Sequence, residues 1–125
     1  MAKYWFTQTH EYIAEVDGEY RVGISSFAAG ELGDITFVEL PPAGASFVQG
    51  ETMATVESVK AVSEVYAPVD LEVLRVNDAL ADAPETVNTD PQGAGWFAVV
   101  KPTALAQLEG LIPEAAYEAM DKETH

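Results

Sequence analysis

The stretch Val56-Glu57-Ser58-Val59-Lys60-Ala61-Val62-Ser63-Glu64-Val65 reads the same in both directions about the Lys60–Ala61 bond. Val59 mirrors Val62, Ser58 mirrors Ser63, Glu57 mirrors Glu64 and Val56 mirrors Val65. A two-residue β-hairpin pairs residues symmetrically about its turn, so the pattern predicts two antiparallel strands with Lys60 presented to solvent at the tip. The turn chemistry leaves open a register that differs by a residue. Lys-Ala lacks the Gly, Asn or Asp that such turns favour. Perfect symmetry would also set Glu57 directly opposite Glu64, a like-charge pair that costs roughly a few tenths of a kcal/mol.

Working outward, short runs rich in β-branched and aromatic residues recur over the first hundred positions: Tyr12–Glu15, Tyr20–Gly23, Asp34–Glu39, Thr52–Val59, Val62–Tyr66, Leu71–Val76 and Trp96–Val100. Between them lie Asp17-Gly18, Pro41-Pro42-Ala43-Gly44, Gln49-Gly50 and Gly93-Ala94-Gly95, all with recognisable turn chemistry. Many short strands of this kind predict a mainly β sandwich or flattened barrel. Ser25 or Ser26 can cap a short helix through Phe27-Ala28-Ala29, with Gly33 at its C-terminal end. In the tail, Thr103 is a candidate N-cap, and Leu105, Leu108 and Ile112 recur at helical spacing. Pro113 then opens a second helical stretch, Glu114 to Met120, whose Tyr117 and Met120 face the sheet. No repeat, linker or low-complexity segment interrupts the chain. One domain is therefore expected over residues 1–125, with the helices of about 103–122 docked on it.

The 125 residues hold six Lys or Arg against 21 Asp or Glu, so the net charge is 6 − 21 = −15, with no cysteine. Such a surface repels nucleic-acid phosphates and anionic lipid, and neither is expected as a partner. The apolar start, Tyr4-Trp5-Phe6, is too short for a signal peptide, and no segment reaches the length of a membrane span; a cytoplasmic protein is expected. Without cysteine there is no thiol nucleophile, Fe–S ligation or thiolate zinc site, although an attached group can still carry redox chemistry. His10 has no second His near it in sequence and reads as structural; no metal site is expected. Between Arg21 and Arg75 the only basic side chain is Lys60. An enzyme that must modify one lysine finds no competitor there.

The ordered blocks Thr9-His10-Glu11-Tyr12, Val22-Gly23-Ile24-Ser25, Leu32-Gly33-Asp34-Ile35-Thr36-Phe37-Val38-Glu39-Leu40-Pro41, Glu57-Ser58-Val59-Lys60-Ala61-Val62-Ser63, Tyr66-Ala67-Pro68-Val69, Val76-Asn77-Asp78-Ala79-Leu80, Val87-Asn88, Asp90-Pro91 and Gly95-Trp96 carry a resemblance. Over essentially its whole length the chain resembles the lipoyl-carrying H proteins of the glycine cleavage system. That resemblance implies a lipoyl/biotinyl-type barrel-sandwich hybrid of two small antiparallel sheets, with a short internal helix and C-terminal helices. It also implies a monomeric, non-catalytic carrier with lipoate attached covalently to Lys60. Biotin-carrying relatives flank their lysine with Met, whereas Val59 and Ala61 stand here, so lipoate is the expected group.

By the same resemblance, Glu57, Ser58, Val59 and Ala61 are the recognition residues for a lipoate-attachment enzyme, and Thr9, Glu11 and Glu64 line a resting cleft for the arm. The implied partners are glycine decarboxylase, aminomethyltransferase and dihydrolipoamide dehydrogenase. Four positions depart from the family's usual residues: Tyr12 for Trp, Glu64 for Asp, Asp70-Leu71 for Ser-Gly, and Gln92 for an aromatic. The Asp70-Leu71 departure is expected to alter a turn close to the hairpin. It keeps open a related lipoate-binding protein serving another pathway, such as heterodisulfide-reductase-like sulfur oxidation. A third class, an interaction module without the modification, would tolerate the loss of Lys60.

Overall fold

The computed structural model describes residues 2–120. Ten strands form two antiparallel sheets, and neither closes into a barrel. The larger sheet runs in the order Ile112–Pro113 (β10), Ala2–Phe6 (β1), Glu11–Val16 (β2), Glu19–Ile24 (β3), Ala98–Pro102 (β9), Leu71–Val76 (β8), Ser46–Phe47 (β5). The smaller sheet has Thr52–Ser58 (β6) at its centre, flanked by Ile35–Glu39 (β4) and Val62–Tyr66 (β7). The mainly β expectation therefore holds, with one sheet of seven strands and one of three rather than two small ones.

Between the sheets lies a core that includes Ile13, Val22, Val56, Val65, Leu71, Val73, Leu80, Val87 and Phe97. Strand β2 is buried on both faces. Ile13 points into that core, while Tyr12 and Ala14 join Phe6 and Tyr117 in a second cluster on the far side of the sheet. Gly23, opposite Tyr12 on β3, makes room for the ring: a Cβ there would sit 2.7 Å from the Tyr12 hydroxyl. The phenol donates to the Pro91 carbonyl (3.0 Å), which holds the Tyr that stands in the usual Trp position.

Ser26–Leu32 (α1) begins as its sequence indicates: the Ser25 Oγ accepts from the Ala28 N–H (3.1 Å), and Gly33 ends the helix at φ 74°. Two single-turn helices, Ala79–Asp82 (α2) and Thr86–Thr89 (α3), carry too little periodicity to be read from sequence, yet they bring Leu80 and Val87 into the core. Strand β1 was also unread. Its partner residues are in β2 and in the distant β10, pairings with no local signal.

The tail differs from expectation. Residues Leu105–Gly110 form a 3₁₀ helix preceded by Ala104, so Thr103 is no N-cap and Leu105 stays 56% exposed. A 3₁₀ turn aligns residues three apart, which directs Leu108 and Leu111 inward. The chain then returns to β1 through β10, and Glu114–Ala119 (α4) follows Pro113. As expected, Tyr117 and Met120 of this segment pack on the sheet. Residues 121–122 of the expected helical tail lie outside the described residues. Among the described residues no helix is long and apolar enough to cross a membrane.

Candidate functional site

The hairpin of β6 and β7 pairs Glu57 with Val62, Val56 with Ser63, Thr55 with Glu64 and Ala54 with Val65. Its turn is thus centred on Val59-Lys60, one residue before the sequence palindrome. Neither Val59 nor Lys60 has positive φ, so the turn dispenses with the residues that mirror-image turns require. Ser58 supplies what is missing. Its backbone N–H donates to the Ala61 carbonyl (2.8 Å), and its Oγ accepts from the N–H groups of Lys60 and Ala61 (both 3.2 Å). In this register Glu57 faces Val62 and Glu64 faces Thr55, so the like-charge opposition disappears.

The turn is also tied to the body of the protein. The Val59 N–H donates to the Asp34 carbonyl (3.0 Å) in the loop between α1 and β4. Asn88 of α3 clamps that loop from behind: its Oδ1 accepts from the Ile35 N–H (2.9 Å) and its Nδ2 donates to the Gly33 carbonyl (2.7 Å). The stem of Lys60 lies over Gly33, where an added Cβ would come within 3.2 Å of Cε. Gly33 has φ 74° and ψ −153°, a conformation open essentially to glycine alone.

Thr9, Glu11 and Glu64, separated in sequence by up to 64 − 9 = 55 residues, come together. A cleft of about 170 Å³ between α1, β7 and the Thr7–His10 loop is lined by all three. Ile24, Phe27, Leu32 and Val65 give it an apolar wall, and His10, Glu31 and Ser63 complete it. Thr9 and Glu11 also border two open depressions, of about 620 Å³ toward Val62–Tyr66 and about 390 Å³ toward residues 110–112.

Glu11 is only 2% exposed, and each carboxylate oxygen has a partner. Its Oε1 accepts from the hydroxyls of Thr7 and Thr9 (both 2.5 Å), and its Oε2 from the Tyr66 N–H on the outer edge of β7 (3.2 Å). Glu64 is exposed, and its Oε2 accepts from the Tyr66 hydroxyl (3.0 Å). This bond, followed by the nearby charge, raises the Tyr66 phenol above its ordinary pKa. Tyr66 thus links both carboxylates, a role unread in the sequence. The available signal was its position two residues beyond Glu64, on the same face of a strand.

His10, at φ 74°, is buried. Its Nδ1 lies 2.6 Å from the Tyr117 hydroxyl, which is itself 2.8 Å from the Ser25 Oγ. The Tyr117 ring stacks on Phe6 at 4.0 Å, so α4 is latched behind the cleft loop. Asp70 lies at the open end of the β6–β7 hairpin, just beyond β7 and away from the tip. There its Oδ1 accepts from the Gln49 N–H (2.8 Å) and its own N–H donates to Gln107 (2.6 Å). Gln92, the last departure, caps the start of α1 by accepting from the Ser26 N–H (3.0 Å). Among the described residues no cluster of three His, Asp or Glu could hold a metal ion.

The glycine cleavage H-protein family model matches residues 4–124. Glycine cleavage system H proteins of Synechococcus sp. (strain CC9902) and Phenylobacterium zucineum (strain HLK1) are 52% and 50% identical to this chain. The first alignment covers 94% of this chain and 92% of the relative, the second 91% and 94%. The crystal structure of a glycine cleavage system H protein from Mycobacterium marinum superposes with a TM-score of 0.82 at 41% identity, covering 93% of this chain and 94% of that one.

Proposed function

The chain belongs to the glycine cleavage H-protein family, lipoyl carriers rather than catalysts, and on that premise we propose that Lys60 is its lipoyl-attachment site. In this reading the protein carries the aminomethyl group of glycine from glycine decarboxylase to aminomethyltransferase, and dihydrolipoamide dehydrogenase reoxidises it. The observation that carries the reading is an exposed lysine on an ordered turn, standing beside a part-apolar cleft that holds the carboxylates of Glu11, Glu31 and Glu64.

The residues present fit an attached lipoate. Lys60 offers a primary amine for an amide bond, and no cysteine anywhere in the chain can exchange with a nearby disulfide. When attached, lipoate supplies a disulfide that opens on reduction and a sulfur that bears the one-carbon amine between enzymes. The protein's own part is presentation and shelter. Ser58 and Asp34 fix the turn, and Gly33 leaves room for the lysine stem. Ile24, Phe27 and Leu32 exclude water from one wall of the cleft, while Glu11 and Glu64 favour a protonated amine there. Glu11 also holds the loop of Thr7–His10 against β7, so the cleft keeps its shape.

Identity of 50% or more with proteins named for glycine cleavage supports that pathway over sulfur oxidation. The test is the intact mass after incubation with a lipoate–protein ligase, lipoate and ATP. Wild type should gain one lipoyl group and Lys60→Ala none. A folded wild-type protein that gains nothing, or a Lys60→Ala variant that still gains the group, overturns the assignment.

A further inference from the structure

Tyr66 reaches Glu11 and Glu64 with different ends. Its backbone N–H donates to Glu11 Oε2 (3.2 Å), and its hydroxyl donates to Glu64 Oε2 (3.0 Å). The two acids are otherwise unlike. Glu11 is 2% exposed and its carboxylate has three donors. Glu64 is exposed, and among the described residues its carboxylate has the Tyr66 hydroxyl as its one hydrogen-bond partner and enters no salt bridge.

A glutamate side chain without a partner turns about several bonds, and meeting a protonated amine in one orientation costs it that freedom. A hydrogen bond already in place removes part of the cost before the amine arrives. The phenol takes Oε2 only, so Oε1 is left for a donor in the cleft. Position matters as well. With Thr9, Glu11 and Glu64, Tyr66 borders the open depression of about 620 Å³, and with Gln49 and Leu111 it borders the one of about 390 Å³. Glu64 borders both the first of these and the narrow cleft, so a carboxylate tied to Tyr66 is kept on the rim that the two share.

We propose that Tyr66 is a positioning residue: its hydroxyl holds the Glu64 carboxylate on the rim of the cleft, so that the protonated amine of a loaded arm meets an acceptor already in place. The inference rests on the arm being loaded from glycine, as read above. Tyr66 acts through Glu64 and needs no contact with the arm. The same hydrogen bond, followed by the charge of Glu64, raises the phenol above its ordinary pKa, so it remains a donor at neutral pH.

Tyr66→Phe keeps the ring and the backbone bond to Glu11 and deletes only the hydroxyl. Lipoylated carriers are loaded by glycine decarboxylase, separated from it and followed for ammonia release without aminomethyltransferase. Tyr66→Phe should release about threefold faster than wild type, the scale of one exposed hydrogen bond to a charged group. Added to Glu64→Gln, the same substitution should change nothing further, because no charge is left to place. A merely structural role predicts that the two effects multiply. A second readout needs no lipoate. The phenolate absorbance of Tyr66, taken as the difference between otherwise identical chains with and without Tyr66→Phe, should titrate above the ordinary value near 10 and fall toward it in the Glu64→Gln background. A wild-type rate for Tyr66→Phe, effects that multiply, or a Tyr66 titration indifferent to Glu64→Gln overturns the inference. A wild-type chain that cannot be lipoylated or loaded overturns the carrier reading, and the positioning role with it, whatever the phenol titration shows.

Discussion

Glu64 reaches the cleft through one bond from Tyr66, whereas Glu11 is sealed in by three donors. The two carboxylates therefore differ in what they can do. Glu11 is committed to holding a loop, and its replacement disturbs structure before function. Glu64 is free to respond to charge in the cleft. Glu64→Gln should hasten ammonia release from the glycine-loaded carrier, measured without aminomethyltransferase, by up to about fivefold. That corresponds to roughly 1 kcal/mol for a charge held at a partly exposed site. An unchanged rate removes Glu64 from that role. The residues of the site were legible in the sequence as a set, because Thr9 and Glu11 sit in a block the resemblance singles out and Glu64 directly follows the lysine block. The burial of Glu11 was not, since two of its donors come from a loop whose folding depends on pairing β1 with β2. Register shows a similar limit. The palindromic and observed pairings both point Val56 and Val65 inward, so hydrophobic pattern cannot choose between them. The Ser58 hydroxyl chooses, by accepting two backbone N–H groups of the turn.

The hairpin of β6 and β7 is held as an element by a relay that starts on α3. Asn88 fixes Gly33 and Ile35, and Asp34 between them accepts from Val59. Asn88→Ala removes two part-buried hydrogen bonds and should cost about 2 kcal/mol, read as a shift in the chemical-denaturation midpoint. It should also speed hydrogen exchange at the Val59 amide, while amides of β9 keep their protection. Equal acceleration at both places would mean general loosening rather than release of the turn. Helix α1 was readable because its cap and its terminating glycine are local chemistry. The 3₁₀ segment and α3 were not, because their conformations follow from what they must reach. Leu105–Gly110 has to deliver the chain to β10, and Thr86–Thr89 has to present one asparagine to a distant loop.

Among the described residues, Lys3, Arg21, Arg75 and Lys101 lie on the seven-stranded sheet and Lys60 stands at the tip of the three-stranded one. Stability at high pH depends on the second core cluster. Burial raises the phenol pKa of Tyr12, and also those of Tyr4 and Tyr117, above the ordinary value near 10. A raised folded pKa means the unfolded chain gives up protons first. The contribution is therefore intact below about pH 10 and lost as pH climbs beyond it, by about 1.4 kcal/mol per unit for each phenol kept neutral. Denaturant midpoints should fall steeply above that pH, and the ultraviolet phenolate signal of Tyr4, Tyr12 and Tyr117 should rise with unfolding rather than before it. Phenolate appearing in the folded protein near pH 10 for every tyrosine would refute this.

The division into a large and a small sheet was not legible, because strand count fixes neither partners nor order. The mainly β class was, because the seven strands read from the sequence each have their own punctuation. The most direct test of the carrier assignment is exchange of the glycine carboxyl group with labelled bicarbonate, catalysed by glycine decarboxylase in the presence of this protein. The lipoylated wild type should support exchange, and the unmodified protein and Lys60→Arg should not. Lipoylated protein that remains inert, beside a decarboxylase active with another H protein, would contradict the account.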